Sequence, residues 1–534
     1  MTSSRRWLGL AVIGLAVSLI IVDTTIVNVA IPSIVDSLGL SAAQVQWVQE
    51  SYTLVFAALL IPFGTLADRT GRRRLLVVGV GVFTVASVAA GFADSGSALI
   101  GARVLQGLGG AMVLPTTMSL INAGFRGRDR TIAFAVWGSI IGGMAALGPL
   151  LGGWLITDYS WRWAFAVNVP VGLLVMAGAL LTLPESKSAH PGQFDILGAI
   201  LVVVAAGSLV YALIEGRTYG WLLTANPPAL GGWTWPYRIS VTPLLILVAV
   251  LAAVAFVGWE LRRRRRGLAT MLPIHLFGIR SFRAGNTVAT IVSLGELGIL
   301  FVLPMWVQNV LGYDALQAGL VLLALAVGSF LATGMVSGLA RRMGPVDMLR
   351  LGIGLELAGV LALGLSLRTD TAWYTLSGLL FLYGLGLGLA SSQVTNVVLA
   401  DVPVDASGQA SGTQSTARQI GSALGIAILG TVLFGTLAVD LDARLAAIDP
   451  SGRDRIVQVV TDTAGAAIPG FLAEPTTAEI GRVAAESFTV AASWSAFTAA
   501  AFLAVALVVS LNLKGRRPGQ ERSLRRREEE LVVE

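Results

Sequence analysis

LADRTGRRRLL, residues 66–76, and LARRMGPVDML, residues 339–349, are two versions of one turn. Gly71 aligns with Gly344 and Arg69 with Arg342, while Asp68 meets Arg341. Each copy follows an apolar run and precedes another. A turn that recurs after the second apolar run of a six-run unit divides the chain into two halves, and internal repeats of this kind mark secondary transporters.

Working outward from the turns, apolar runs of about 20 residues, the length that crosses a bilayer, recur from 8–32 to 487–513. Fourteen are expected, and only a six plus two plus six arrangement keeps both turns after the second helix of a half. The expected divisions are an N-terminal six-helix bundle over 1–190 and an inserted helix pair with a basic linker over 191–281. A C-terminal six-helix bundle over 282–513 carries an external loop at 438–486, and 514–534 form a tail. The arginines cluster at 69–74, 126–130, 262–266 and 341–342 and in the tail. With an even number of spans, the positive-inside bias puts both termini in the cytoplasm.

Composition sets the class. Of 534 residues, 55% are hydrophobic and 13% charged, and the mean hydropathy is +0.77, values that belong to a multi-pass membrane protein. The absence of cysteine excludes disulfides, Cys-ligated zinc, iron–sulfur clusters and a thiol nucleophile. The two lysines, Lys187 and Lys514, follow Ser186 and Leu513, so no phosphate-binding loop ending in Gly-Lys can be written. His190 and His275 lie in polar connections, which leaves carboxylates for any proton chemistry within the membrane. A net charge of +6 spread over topogenic clusters argues against nucleic acid as a partner.

One such carboxylate interrupts the first run, IVDTTIVNVAIP, residues 21–32. A charge at mid-bilayer costs about 3 kcal/mol on insertion scales, so such a residue faces protein and usually has a task. Asp23 shares a helical face with Ile26, Val27 and Ala30, while Asn28 lies on the stripe of Thr24 and Thr25, a polar edge suited to lining a cavity. A second carboxylate, Glu296 in SLGELGILF, sits mid-span in the first helix of the second half. Pseudosymmetry predicts that Asp23 and Glu296 face a central cavity from opposite sides. Glu356 is expected to be peripheral and structural, snorkelling near Arg350. Glu50 at the outer end of the second span forms a cation-attracting rim or a solvated helix end.

Three further motifs bear on movement. In GTLADRTGRRR, residues 64–74, Gly64 lets helix ends approach. Asp68 can accept hydrogen bonds from a helix N-terminus or an arginine, and Arg69, Gly71 and Arg72 complete a cytoplasmic gate. In RVLQGLGGAM, Arg103, Gln106, Gly107 and Gly110 share one face of the fourth span. The buried Arg103 needs a carboxylate or a backbone carbonyl as partner. In WGSIIGGMAALGPLLGGWL, Gly138, Gly142, Ala145, Pro149 and Gly152 form a stripe without bulk, with Gly148 and Gly153 beside it. Small residues let membrane helices pack closely, and with Ala324, Gly328 and Ala332 of the tenth span they predict where the halves close.

Together, LADRTGRRR, RVLQGLGG, GPLLGGWL after its glycine-rich half-helix, and IVDTTIVNVAIP resemble the fourteen-span drug:proton antiporters of the major facilitator superfamily, the EmrB/QacA type. SWRWAFAVNVPVG at 160–172 and ASGQASGTQSTARQIGSALG at 406–425 are similar to that group as well. The likeness runs over nearly the whole chain. It implies an all-α polytopic membrane protein built as two six-helix bundles plus two inserted helices. It ties Asp23 and Arg103 to proton coupling, with Glu296 added from the reading above, and makes Gly148 and Pro149 an antiporter mark. The family's earlier glycine, four residues before the Gly-Pro pair, falls on Met144 here. The implied activity is not enzymatic. It is export of amphipathic, hydrophobic or cationic compounds across the bacterial inner membrane, driven by the proton gradient with no cofactor, by a chain that works as a monomer in the lipid bilayer. The rival expectations are a proton-coupled importer or facilitator, and an exporter of a lipid or a self-made metabolite.

Overall fold

No water reaches the core of a bilayer to satisfy backbone N–H and C=O groups, so long apolar runs close their hydrogen bonds on themselves as helices. The computed structural model describes residues 3–40, 42–187, 195–230, 233–268, 270–271, 274–340, 342–403, 407–446, 448 and 452–513. The first half holds α1 (Ser3–Leu38), α2 (Ala42–Thr70), α3 (Arg72–Gly91), α4 (Gly96–Gly124), α5 (Gly127–Asp158), the short α6 (Trp163–Ala166) and α7 (Asn168–Thr182). A pair follows, α8 (Ile196–Tyr219) and α9 (Val241–Arg265). The second half holds α10 (Arg280–Asn309), α11 (Ala315–Leu339), α12 (Pro345–Ser366), α13 (Trp373–Val398), α14 (Ser407–Leu445), α15 (Arg453–Asp462), α16 (Ile468–Ala473) and α17 (Ala478–Ser510). Thirteen stretches among the described residues are long and apolar enough to cross a membrane. At the place of the expected fifth span stands α5, a helix of 32 residues.

Helix starts follow local chemistry. Ser95, Asp195 and Ser240 cap α4, α8 and α9 by accepting from Ala98, Gly198 and Thr242 backbone N–H groups. Asp314 and Gln317 form a reciprocal capping box at α11. Gly71 and Gly344, aligned by the repeat, each stand directly before the third helix of a half.

Within the first half α3 and α2 pack on α4, and α1 packs on α5 and α7. In the second, α13 packs on α11 and α12, α10 on α14, and α17 against α10, α12 and α14. The halves meet where α5 lies along α11 and α13, and where α14 lies along α2 and α4. α8 touches both α2 and α14, so the inserted pair flanks this seam. One apolar cluster runs through both halves at the arginine-bearing end, including Phe125, Phe134 and Trp137 from the first and Phe282, Val398 and Leu399 from the second.

Two departures from expectation are local. The connection between α8 and α9 carries a small antiparallel hairpin, β1 (Ala229–Leu230) with β2 (Trp233–Thr234). The stretch 438–486 is not a loop: α14 continues to Leu445, and α15 and α16 follow. Val460 and Ile468 are fully buried, and Asn309 at the end of α10 donates to the Ala464 carbonyl at 3.0 Å. Arg444 pairs with Asp440 and Glu486, and Arg453 with Asp442. Oppositely charged partners at helical spacing and an apolar inner face turn the segment into a helical cap.

Candidate functional site

Asp23 sits at the centre of the first half with 0% of its surface exposed. Its Oδ2 accepts from Arg103 Nη1 at 2.6 Å. Its Oδ1 accepts from Asn168 Nδ2 at 2.6 Å and from Gln106 Nε2 at 3.0 Å. Arg103 also donates from Nη1 to Gln106 Oε1 at 2.9 Å and from Nε to the Val48 carbonyl at 3.1 Å, and its guanidinium lies 4.4 Å from the centre of the Tyr52 ring. Ser87 Oγ accepts from Gln106 and Asn168 and donates to the Phe83 carbonyl. Side chains from α1, α3, α4 and α7 and a carbonyl of α2 thus close one network.

The network defines the charge on Asp23. Gln106 turns Oε1 to Arg103, so its amide NH₂ faces the carboxylate, and every group touching Asp23 is a donor. A carboxylate that accepts from three donors is ionised. Removing an ion pair from water costs several kcal/mol per ion, offset only when geometry is good and the remaining valences are filled. Here they are. The choice left open for Arg103 resolves to both partners, the Asp23 carboxylate and the Val48 carbonyl. Gly107 and Gly110, on the same face, pack against Tyr52, Val55 and Phe56 of α2.

Glu296 is buried in the second half. Its Oε2 lies 3.5 Å from Arg418 Nη2, its Oε1 accepts from Ser391 Oγ at 3.5 Å, and Tyr383 Oη donates to its backbone carbonyl at 3.5 Å. Each carboxylate is enclosed by partners from its own half, with 0% and 1% exposure. Asp23 and Glu296, expected to face a central cavity from opposite sides, are both buried in this structure, each with hydrogen-bond and ion-pair partners drawn from its own half. The expected placement of Glu356 is corrected. It is 0% exposed, and Arg350 turns away to Asp347 and the carbonyls of Ser510 and Leu513. Its helix presents this face to the protein, so it does not snorkel.

At the arginine-bearing end Asp68 bonds Arg72 at 2.8 Å, one turn along its own motif. Arg69 lies half-buried on the last turn of α2. Gly71 has φ +120°, a region closed to side chains, and the Glu185 carboxylate occupies the place of a β-carbon. Glu185 accepts from the backbone N–H of Arg73 at 3.1 Å and of Arg74 at 3.2 Å, capping the positive end of α3. The Arg72 N–H donates to the Ser186 carbonyl. The turn is therefore fastened to the segment after α7, within one half. Gly64 makes the crossing contact, against Pro115 of α4 and Gly412 of α14. Nearby, Ser415 Oγ reaches Met118 Sδ at 2.9 Å.

The small-residue stripe of α5 serves two neighbours. Gly148 and Gly152 lie against Thr25 and Ile26 of α1, and Gly138 lies against the backbone of Ser391 and Ser392 in α13. Gly153 is buried. The halves do meet at α5 and α11, but through Gly319 on Leu150. Gly328 and Ala332, expected at that seam, pack on α13 instead. Asn28, Glu50, Gly142 and Pro149 lie in helices but outside the residues whose surroundings are described.

Sequence reading missed Asn168, Ser87, Glu185 and Arg418. Asn168 and Arg418 stand inside motifs quoted for their likeness alone. A polar residue in an otherwise apolar span is the signal that finds them.

Residues 13–426 match the profile described as Major Facilitator Superfamily. The chain is 35% identical to the "Probable actinorhodin transporter" of Streptomyces coelicolor over 81% of its own length and 73% of that protein. It is 34% identical to the "Multidrug efflux pump LfrA" of Mycolicibacterium smegmatis over 83% of its length and 84% of that protein. Among solved structures, a bacterial homologue of the human lysosomal transporter Spinster, in an inward-facing and unoccupied conformation, superposes with a TM-score of 0.56 at 17% identity, covering 96% of this chain and 98% of that one.

Proposed function

This chain belongs to the Major Facilitator Superfamily, and on that premise we propose that it is a proton-coupled antiporter of the fourteen-span drug-exporting type. It is a transporter rather than an enzyme. Its cargo is an amphipathic compound, hydrophobic or cationic, moved outward across a bacterial plasma membrane by alternating access. The names of two relatives, one a transporter for actinorhodin and one a multidrug efflux pump, support the direction and class of cargo. Both termini lie in the cytoplasm, the energy comes from the proton gradient with no cofactor, and one copy is the working unit.

The Asp23 network carries this reading. Asp23 is held by donors alone, so a proton arriving on it replaces an acceptor with an O–H aimed at a donor. The ion pair to Arg103 is lost, α1 separates from α4 and α7, and the cost of a buried unpaired arginine drives a rearrangement. Departure of the proton restores the pair. A charge switch joined to a two-state element in this way is what coupling requires. α1 also carries Thr25 and Ile26, on which Gly148 and Gly152 of α5 rest, so the same movement reaches the helix that meets α11.

Purified protein in proteoliposomes, loaded with a cationic dye and given an imposed pH gradient, tests the reading. Acceleration of dye movement against proton flow supports antiport. Dye accumulating alongside protons, or flux indifferent to the gradient, overturns it.

A further inference from the structure

The second half encloses a group of charges that the Asp23 switch does not use. Glu296 from α10 and Arg418 from α14 form an ion pair, and Glu356 from α12 lies within electrostatic reach of both. Tyr383 from α13 also lies within reach of both carboxylates, and Ser391 of the same helix completes the wall. α17 packs against α10 and α12 and has no titratable residue between Ser487 and Ser510. Two carboxylates therefore face one cation.

The hydrogen bonds distinguish the two acids. Glu296 takes both the arginine and the serine hydroxyl. Among the described residues neither oxygen of Glu356 has a hydrogen-bond partner, and Arg418 Nη1 is buried with none either. An ionised carboxylate without donors, beside another carboxylate and out of reach of water, is costly. A neutral acid at that position is not. We infer that Glu356 holds a proton in this conformation and yields it to Glu296 when Arg418 changes partner, giving the transporter a second proton site independent of Asp23. The inference rests on the antiport reading for its use, but not for its chemistry.

The exchange balances. The O–H bond of Glu356 breaks and an O–H bond forms on Glu296, while Arg418 turns its free Nη1 to the new Glu356 carboxylate. The transfer itself leaves the group with one carboxylate, one acid and one guanidinium and no net charge. The cycle is completed when Glu296 gives its proton to water on the side that has opened and Glu356 takes another from water on the opposite side, so that one proton crosses per turn. Arg418 lies six residues from Gly412, which meets Gly64 across the seam. Movement of α14 against α2 is then the event that redirects the arginine.

Infrared difference spectroscopy on the purified protein reads the proton directly. The carbonyl stretch of a buried protonated carboxylic acid is expected at neutral pH, lost in Glu356→Gln, kept at a shifted position in Glu356→Asp, and kept in Asp23→Asn. Glutamine matches the neutral acid in shape, so thermal unfolding of Glu356→Gln should stay close to wild type. In proteoliposomes that variant should move one proton fewer per cargo molecule, lowering the cargo ratio sustained by one pH unit about tenfold. A band unchanged in Glu356→Gln overturns the proton's residence there, and an unchanged ratio overturns its part in coupling. Wild-type flux indifferent to the gradient would instead sink the antiport reading, and the infrared band would still decide where the proton sits.

Discussion

Asp23 and Arg103 stand 80 residues apart in the chain and 2.6 Å apart at their nearest atoms, with neither exposed to water beyond 1%. Their pairing binds the first helix to the fourth in the interior of the first half. Each side chain there is tolerable only because of the other.

Substitution of Asp23 by asparagine keeps the shape and removes the charge. Gradient-driven extrusion is expected to fall to the level of empty liposomes, while facilitated movement down the cargo's own gradient persists. Dye flux with and without an imposed pH gradient distinguishes the two, and undiminished uphill transport would refute the role given to Asp23.

Arg103→Ala leaves the carboxylate buried and unpaired, a change worth about 3–5 kcal/mol of stability. Adding Asp23→Asn removes the offending charge, so the double variant should recover most of the deficit. Thermal unfolding of the single and double variants in detergent checks the sign.

Gly71→Ala forces a side chain into φ +120° and onto Glu185, at a cost of about 1–3 kcal/mol. Glu185→Gln keeps the backbone and weakens the cap on α3 by about 1 kcal/mol. If hydrogen exchange at the first turn of α3 is unchanged in both variants, the fastening of the turn to the end of α7 is wrong.

Gly148→Ala places a methyl group on the Thr25 side chain, and overpacking of this kind costs about 1–3 kcal/mol. Adding Thr25→Ala should recover most of the loss, because the two changes share one space. Additive losses would show that α5 and α1 do not touch there.

Because the chain has no cysteine of its own, the seam can be tested by cross-linking. A β-carbon at Gly64 would stand 3.9 Å from the Gly412 α-carbon, so the two α-carbons are at most about 5.4 Å apart, below the upper limit of about 6.8 Å for a disulfide. Gly64→Cys with Gly412→Cys should cross-link on oxidation and stop transport, and reduction should restore it. Transport continuing through the cross-linked protein would mean that the halves do not part at this end.

The order of the long helices was legible because span length is a crude property that residue-by-residue error does not disturb; fourteen spans were expected, and thirteen stretches among the described residues are long and apolar enough to cross. The turn at Gly71 was legible as well, since an ordered Gly, Asp, Arg, Gly pattern is rare by chance. Angular orientation was not. A helix that is apolar on all sides gives no periodic signal of which face is inward, which is why Glu356 reads as peripheral and lies at the centre of a charge group. For the same reason Gly328 and Ala332 read as facing α5 and instead face α13. Asn168 and Arg418 escaped for another reason: each is a partner, and a partner has meaning only once the fold has brought the first residue to it. The helices after Leu445 were hidden by polar composition, which looks the same in a loop and in a charged helical cap.

α14 runs unbroken for 39 residues, about 58 Å at 1.5 Å per residue. Near one end it carries Arg418 and the contact with Gly64, and near the other Arg444 grips the base of α17 through Glu486. A stiff rod pivoting near its midpoint by about 10° carries each tip about 5 Å in opposite senses. In the proposed transport cycle, pinching at one end of the seam and spreading at the other are thereby a single mechanical act, with no relay of side chains needed between them.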